Sequence, residues 1–464
     1  MLNLKIKNYW HMDCYYLFKF CNGVESKIIF DGNEAVSNLR RYGFLFLYCK
    51  EEMMNLTRKP IVLALVASGI STIGAINIAH AEGSFIDALT GGQVSFSARA
   101  RYEAVSEDNT KKDADAYTLR STLGYKTGRF NGFGAFVEFE DVHALGDEKF
   151  DNFENGHSAY SVIADPVGTE VNQAYLSYNG FDTEFKLGRQ EITYRDAPFH
   201  RYIGNVLWRQ NHQSFDGFSV VNKSFDNTSL SYAHIENLNT IFGENSVAKP
   251  DNIAMSTDLF NVQYSGLPIG NIEGYAYLID NEDDISSSSE TFGARLSGAQ
   301  ALKADWNVLY TAEYANQSDY KDGTMDAQNY YLAELGGQYK GWLAKFSYEM
   351  QEGDGSYSFK TPLGTNHAFQ GWADIFLSTP NKGLEDMYFT VAGKIMGVKV
   401  VGVYHDFETD ADTLDAGNEF DILAEKSFNK HYTLGVKYAD YNAGDASLGY
   451  VDTEKFWLYG QVKF

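Results

Sequence analysis

Strict alternation of apolar and polar residues marks the last thirteen positions of the chain, residues 452–464. One face carries a glycine and four apolar side chains: Phe456, Leu458, Gly460, Val462 and Phe464. The other face carries Trp457, Tyr459, Gln461 and Lys463. Because successive side chains of a strand point to opposite faces, this pattern predicts a strand that is apolar on one side only. A strand of this kind that ends on phenylalanine is typical of the closing strand of a bacterial outer-membrane barrel.

Stretches with the same period of two recur about every 20 residues along the chain. They predict eighteen strands, an even number, as a barrel with both termini on one side requires. The predicted strands are 91–105, 115–128, 132–143, 170–179, 181–191, 214–224, 228–239, 256–265, 271–280, 290–299, 305–317, 328–339, 341–351, 386–394, 397–407, 418–428, 431–442 and 452–464.

The connections between these strands alternate between two classes. Short turns fall at 128–132, 179–182, 224–227, 267–271, 340–341 and 429–430, and long acidic connections include 141–169, 191–213 and 352–386. The alternation predicts an all-β fold, a closed antiparallel transmembrane β-barrel of about 18 strands with short periplasmic turns and long outer loops. A soluble β-propeller or sandwich is the alternative, but outward aromatic residues such as Trp306, Tyr310 and Tyr314 favour the barrel.

The N-terminal region breaks the alternating pattern. Arg58 and Lys59 precede an apolar run at 61–79, and Ala79-His80-Ala81 forms an A-x-A cleavage site, so we expect a signal peptide at 53–81. A 19-residue run also allows an inner-membrane anchor. Residues 1–52, which hold all three cysteines (Cys14, Cys21 and Cys49), are interpreted as an over-extended start, with a genuine N-terminal extension as the alternative. The predicted barrel then comprises residues 82–464.

The charge of that barrel segment limits its partners and its chemistry. Of the 38 basic and 62 acidic residues, 9 and 6 lie in residues 1–81, which leaves 29 and 56 and a net charge of −27. Such acidity argues against nucleic acid as a partner. The chain has no G-x-S-x-G, H-E-x-x-H or Walker motif, so we predict no enzyme, no cofactor and no metal. The acidic pair Asp283-Asp284 is interpreted as solvated loop charge, with a calcium site as the alternative.

Basic residues occupy the polar faces of the predicted strands and the third outer connection. An arginine on the lipid face at the bilayer midplane would cost roughly 2–4 kcal/mol, which favours inward placement. Eight of the nine arginines beyond residue 81 lie between Arg99 and Arg209. The candidate substrate-channel residues are Arg99, Arg101, Arg120, Arg189, Arg195, Arg201, Arg209, Arg295 and Lys345.

Two interpretations of these cations stay open from the residues alone. Arginine offers a planar fork of donors that suits a carboxylate, so the cluster favours an anion track through the lumen. The alternative is that each arginine pairs with a lumen carboxylate such as Glu103, Glu138, Glu349 or Glu425, because buried charge is normally paired. The connection 191–213 is rich in aromatic residues, which favours folding into the lumen rather than extending into water.

Two segments carry a resemblance to a known family. The first is NQAYLSYNGFDTEFKLGRQEITY followed by WRQNHQSFDGFSVV, within residues 172–221, and the second is HAFQGWADIFLSTPNKGLEDMY, residues 367–388. The chain resembles the alginate export porin family over essentially residues 85–464. Unlike the alginate exporter, it shows no long periplasmic turn.

The resemblance implies an outer-membrane channel with an Arg/Lys-lined lumen for an acidic polysaccharide or oligouronate of alginate type. The alternatives are a general or neutral-oligosaccharide diffusion porin and a non-transport scaffold or adhesin. Expected partners are the lipid bilayer and lipopolysaccharide, an anionic oligo- or polysaccharide, and the barrel-assembly machinery, which would engage the C-terminal strand ending at Phe464. The expected location is the outer membrane.

Overall fold

The computed structural model describes residues 84–243, 246, 248–303 and 305–464. The predicted over-extended start at 1–52 and the predicted signal peptide at 53–81 lie outside the described residues. The described part begins with a single-turn helix, α1 (Phe85–Thr90), whose N-terminus is capped by Ser84. Among the described residues, no helix is long and apolar enough to cross a bilayer.

All eighteen predicted strands are confirmed, with ends that shift by a few residues. In chain order they are β1 (Gln93–Glu107), β2 (Ala114–Lys126), β3 (Phe133–Ala144), β4 (Gly168–Gly180), β5 (Thr183–Gln190), β6 (Ser214–Asn222), β7 (Thr228–Asn239), β8 (Asn252–Leu267), β9 (Gly270–Ile279), β10 (Ser289–Lys303), β11 (Trp306–Asp319), β12 (Gln328–Tyr339), β13 (Trp342–Gln351), β14 (Leu384–Ile395), β15 (Val398–Glu408), β16 (Asp415–Phe428), β17 (Tyr432–Asn442) and β18 (Thr453–Lys463).

Each strand pairs antiparallel with its neighbours in sequence, and β1 also pairs with β18, so that the sheet closes. Closure is required in lipid, because hydrocarbon offers no hydrogen-bond partner to an unpaired strand edge. The closing pair places Arg99 opposite Gln461 and Arg101 opposite Tyr459. The polar face of β18, predicted from its alternation, therefore lies on the same side of the sheet as Arg99 and Arg101.

The faces of the strands follow the predicted alternation. Val94, Leu335 and Leu458 are exposed on the outside, whereas Arg101 and Glu103 are buried inside the barrel. An apolar outside and a polar inside are the reverse of a soluble protein and match a barrel whose outer face contacts lipid.

The two classes of connection are also confirmed. Among the described residues, three two-residue turns have positive φ at both positions, as in Lys340-Gly341 and Met396-Gly397, and such turns suit the twist of a hairpin. The opposite rim carries three long connections, which we call loop 2 (145–167), loop 3 (191–213) and loop 7 (352–383). In barrels of this class the short turns face the periplasm and the long loops face outward.

The closing pair can be tested by a disulfide. Phe96 and Phe464 exchange backbone hydrogen bonds, so the next pair, Ser97 and Lys463, is a non-hydrogen-bonded pair. Cα atoms in such pairs lie about 4.5 Å apart, which a disulfide can bridge. The double variant Ser97→Cys/Lys463→Cys, with Cys14, Cys21 and Cys49 replaced if they are retained, should form an intramolecular disulfide on oxidation. Its mobility in a denaturing gel should change and should revert on reduction.

The single variant Ser97→Cys is the control and should show no such shift. A double variant that stays uncross-linked under oxidising conditions, while it still folds, would contradict the β1–β18 register.

Candidate substrate channel

Loops 3 and 7 lie inside the barrel and pack on one another. Ile203 and Leu363 form a parallel β-bridge, and the Gln213 side chain donates to the carbonyls of Gly204 and Leu363, both at 2.9 Å. Tyr202, Ile203, Phe359 and Leu363 join a buried cluster with wall residues of β6–β9, β11 and β12. The prediction that residues 191–213 fold into the lumen is therefore confirmed, and the aromatic residues of this loop are its packing surface.

The first half of loop 3 reaches down towards the periplasmic turns. The Arg195 guanidinium lies 3.0 Å from Glu273 and 2.6 Å from Glu313, and Arg295 lies 2.7 Å from the other oxygen of Glu313. Glu273 is only the fourth residue of β9, counted from its periplasmic end. Burial by itself lowers the pKa of Arg195, but Glu313 and Glu273 reverse this and raise the pKa well above its ordinary value. Arg195 is therefore a charged tether.

A second tether joins loop 3, loop 7 and the wall. Arg201 is fully buried; it forms an ion pair with Glu349 of β13 and donates to Asn366 at 3.1 Å and Gln370 at 3.0 Å. The Phe369 ring covers the guanidinium at 3.8 Å. Because an unpaired buried charge is costly, each of these partners stabilises the loop packing.

The third tether involves loop 2, whose carboxylate, Asp165, was not predicted. Arg209 bonds both oxygens of Glu103 at 2.7 Å, and Arg101 pairs with Glu103 and with Asp165 of loop 2. Burial raises the pKa of Asp165. The charges of Arg101 and Arg209 beside it reverse this and hold the pKa of Asp165 below its ordinary value. No sequence motif marks Asp165, since it lies alone in a loop and its partners are distant in sequence.

Arg99 and Arg120 differ from the tethers. They are opposite one another across β1 and β2. Arg99 donates to the carbonyls of Leu207 at 2.9 Å and of Arg209, and to the Gln210 side chain at 2.9 Å, while Arg120 contacts His212. No carboxylate oxygen of the described chain lies within 4.0 Å of either guanidinium. Glu140 and Glu191 contact His212 at 3.3 and 3.1 Å and so lie near Arg120. Arg99 and Arg120 thus form a pair of lumen cations with no direct ion pair, which we call the arginine pair.

Arg189 does not line the lumen, and its placement there is corrected. Its neighbours on the same face of β5 are Leu187 and Phe185, and the Phe185 ring packs on Phe218 in the outward aromatic row. Arg189 instead pairs with Asp216 of β6 at 2.8 Å. It lies at the outer end of a short strand, where the cost of a charge on the lipid face falls to about 0–1 kcal/mol.

The remaining candidate, Lys345, forms an ion pair with Glu334 on the neighbouring strand β12. Six of the nine candidates are thus lumen cations paired with carboxylates, as the alternative interpretation predicted: Arg101, Arg195, Arg201, Arg209, Arg295 and Lys345. The arginine pair is the part of the candidate set that lies in the lumen and forms no direct ion pair with a carboxylate.

A ring contact also joins loops 3 and 7. Trp208 and His367 stack with ring centroids 4.1 Å apart and planes 5° apart. His367 bonds Asp374 through Nδ1, and Nε2 accepts from Lys437 at 2.6 Å. Burial, together with the charge of Lys437, lowers the pKa of His367 to about 4, so the imidazole is neutral at pH 7. His367 was not among the candidates, although it begins the second segment that carried the family resemblance.

Comparison with known proteins agrees with this geometry. The model of the family described as "Alginate export" matches residues 92–373. OccAB2 of Acinetobacter baumannii is 16% identical with a TM-score of 0.61, covering 82% of this chain and 100% of its own. OpdK of Pseudomonas aeruginosa, solved with vanillate, is 12% identical with a TM-score of 0.62, covering 81% and 99%. No curated protein sequence matches the chain.

The tether at Arg201 can be broken by a single isosteric change in β13. Glu349→Gln leaves the Arg201 charge buried and unpaired, at a cost of about 3–5 kcal/mol. We expect loops 3 and 7 to loosen, seen as faster protease cleavage within 191–213 and as higher, noisier single-channel conductance. The control is Glu425→Gln, because Glu425 bonds the wall residue Tyr459 rather than a loop. Unchanged cleavage and conductance in Glu349→Gln would argue against the tether.

Acid should loosen the Trp208–His367 stack. The native pKa of about 4 lies below the ordinary value of about 6.5, so protonation disfavours the packed state. Stability is therefore complete above about pH 6.5 and is lost as pH falls towards 4. We expect conductance fluctuations to grow over that interval and to lose this pH dependence in His367→Gln. His143→Gln, at an exposed histidine, should behave as the unmodified protein, and an identical response in all three proteins would refute the assignment.

Proposed function

The chain belongs to the alginate export family of outer-membrane channels, and we propose that its solute is an acidic oligo- or polysaccharide, an oligouronate of alginate type. Passage is passive, because the chain carries no nucleotide-binding motif that would couple transport to an energy source. Family and fold are those of a transporter rather than an enzyme.

The arginine pair is the observation that supports the proposal of an acidic solute. Arg99 and Arg120 place two guanidinium groups opposite one another in the lumen, and neither forms a direct ion pair with a carboxylate. A planar guanidinium binds a carboxylate through two parallel hydrogen bonds. Vanillate, named with the similar OpdK structure, is itself a carboxylate, which supports the same chemistry here.

The loops bear on the size of the solute. Loops 3 and 7 pack against the wall inside the barrel and are tied to it by buried ion pairs. A lumen narrowed in this way favours short oligouronates that pass extended, one chain at a time.

A second candidate is a diffusion porin for neutral oligosaccharides. The observation that favours it is the neutralisation of most lumen cations by carboxylates of the wall and of loop 2. A net charge of −27 over residues 82–464 favours it as well. The two candidates differ in whether charge at the arginine pair controls permeation.

The barrel would lie in the outer-membrane bilayer, with its exposed aromatic and aliphatic side chains in contact with lipid. Contacts of its outer rim with lipopolysaccharide, and recognition of β18 and Phe464 by the barrel-assembly machinery, are part of the same proposal.

Removing the arginine pair tests the proposal directly. A unit charge about 7 Å from a permeating ion in water contributes about 0.6 kcal/mol, roughly threefold in permeability. Arg99→Gln/Arg120→Gln should therefore shift the reversal potential in a salt gradient towards cation selectivity, by about threefold per charge. Block of the ion current by trimannuronate should weaken in parallel.

Arg189→Gln is the control, since it removes one arginine charge from the outer face of the barrel and leaves the arginine pair intact. If the lumen double variant and Arg189→Gln gave the same selectivity as the unmodified channel, the acidic-solute proposal would fail and the neutral porin would be favoured.

A further inference from the structure

A cavity of about 640 Å³ lies under the tip of loop 3, at the periplasmic end of the barrel. The turn between β6 and β7, residues 223–227, contributes Lys223, Phe225 and Asn227 to its lining. Lys223 and Phe225 are exposed to solvent, so the cavity can be reached from the periplasmic side. Its volume is within the range of small-molecule sites, about 300–1,000 Å³.

The wall of this cavity is polar and its charges balance. Ser229, Gln263, Asn271 and Ser297 line it from four strands, β7 to β10. Arg195, Arg295 and Glu273 are neutralised by one another and by Glu313, and the exposed residues Asp196 and Lys223 add one charge of each sign. The lining therefore offers hydroxyl and amide groups as donors and acceptors, rather than a net charge, to whatever enters.

Two solvent-exposed phenylalanine rings complete the lining. Phe225 is 63% exposed and Phe199, at the tip of loop 3, is 50% exposed, and both face this cavity. Exposed phenylalanine at a polar cavity calls for a partner that is apolar on one face and hydroxylated at its edges. A pyranose ring has this character, because its C–H groups form an apolar face and its hydroxyls surround the rim.

We propose that this cavity, which we call the periplasmic chamber, binds saccharide rings through ring stacking and hydroxyl contacts, independently of their charge. The inference rests on the proposed function in that the solute is a saccharide, and it adds a second station for that solute. The arginine pair selects for carboxylate, and the periplasmic chamber selects for the sugar ring.

The periplasmic chamber lies at one end of the channel, so the proposal can be tested by adding solute to one side of the membrane or the other. A saccharide that enters from the periplasm meets Phe225 and Phe199 first, whereas one that enters from outside must first pass loops 3 and 7. Neutral maltotriose added on the periplasmic side should therefore produce more frequent current blockades than the same addition outside. Acetate, which has no ring, should produce none from either side.

Phe225→Ala removes the exposed ring from the turn. We expect it to shorten the periplasmic blockades by maltotriose about three- to tenfold, the range that loss of one ring contact corresponds to. The matched control is Phe181→Ala, because Phe181 is an exposed phenylalanine of the neighbouring periplasmic turn that does not line the cavity. Ion conductance and heat-modifiable gel mobility show that both variants fold.

The outcomes separate the two proposals. Maltotriose blockades that are equal from both sides, absent, or unaffected by Phe225→Ala would overturn the periplasmic chamber. If maltotriose blocks the current as expected, but trimannuronate does not block it and Arg99→Gln/Arg120→Gln does not change the ion selectivity, the acidic-solute proposal is overturned and the periplasmic chamber stands. If trimannuronate added on the periplasmic side blocked the current and maltotriose did not, binding in the chamber would depend on charge. That result would also overturn the proposal of the periplasmic chamber.

Discussion

Hydrocarbon provides no hydrogen-bond partner, and every other feature of this barrel depends on that. A strand in the bilayer must pair on both edges, so eighteen strands close through β1 and β18. Closure forces the alternation, since one face of each strand meets lipid and the other meets the lumen. The polar half of the chain, arginines and carboxylates included, is thereby enclosed in a narrow interior where charges must find partners.

The interior solves this problem with ion pairs that join distant parts of the chain. Arg195, Arg201 and Arg209 all leave loop 3 and reach carboxylates on β9, β11, β13 and β1. Such pairs add little net stability compared with apolar packing, but removing one partner is costly. Their consequence is therefore specificity of position. Loop 3 is held at one place in the lumen by charge, and its aromatic residues pack where those charges allow.

Local pattern was sufficient for the wall and insufficient for the interior. The alternation along 452–464 predicted both faces of β18, because the faces of a strand depend only on its own sequence and on which side is lipid. Glu313 as the shared partner of Arg195 and Arg295, by contrast, depends on how far loop 3 descends, and no short-range signal records that. Arg189 was misplaced because it was grouped with the arginines of loop 3 by charge. Its alternation with Leu187 and Phe185 indicated the outer face.

Loop 3 also links the two ends of the lumen. Its C-terminal part holds Arg99 through the carbonyls of Leu207 and Arg209 and through Gln210, and its N-terminal part forms the roof of the periplasmic chamber with Tyr194 and Phe199. Both parts belong to one segment tethered at Arg201, so a shift of that segment changes the arginine pair and the chamber together. On these two proposals, carboxylate selection by the arginine pair and ring recognition in the periplasmic chamber would be coupled through loop 3. That loop contacts both sites, and its position is determined by its ion pairs with the wall.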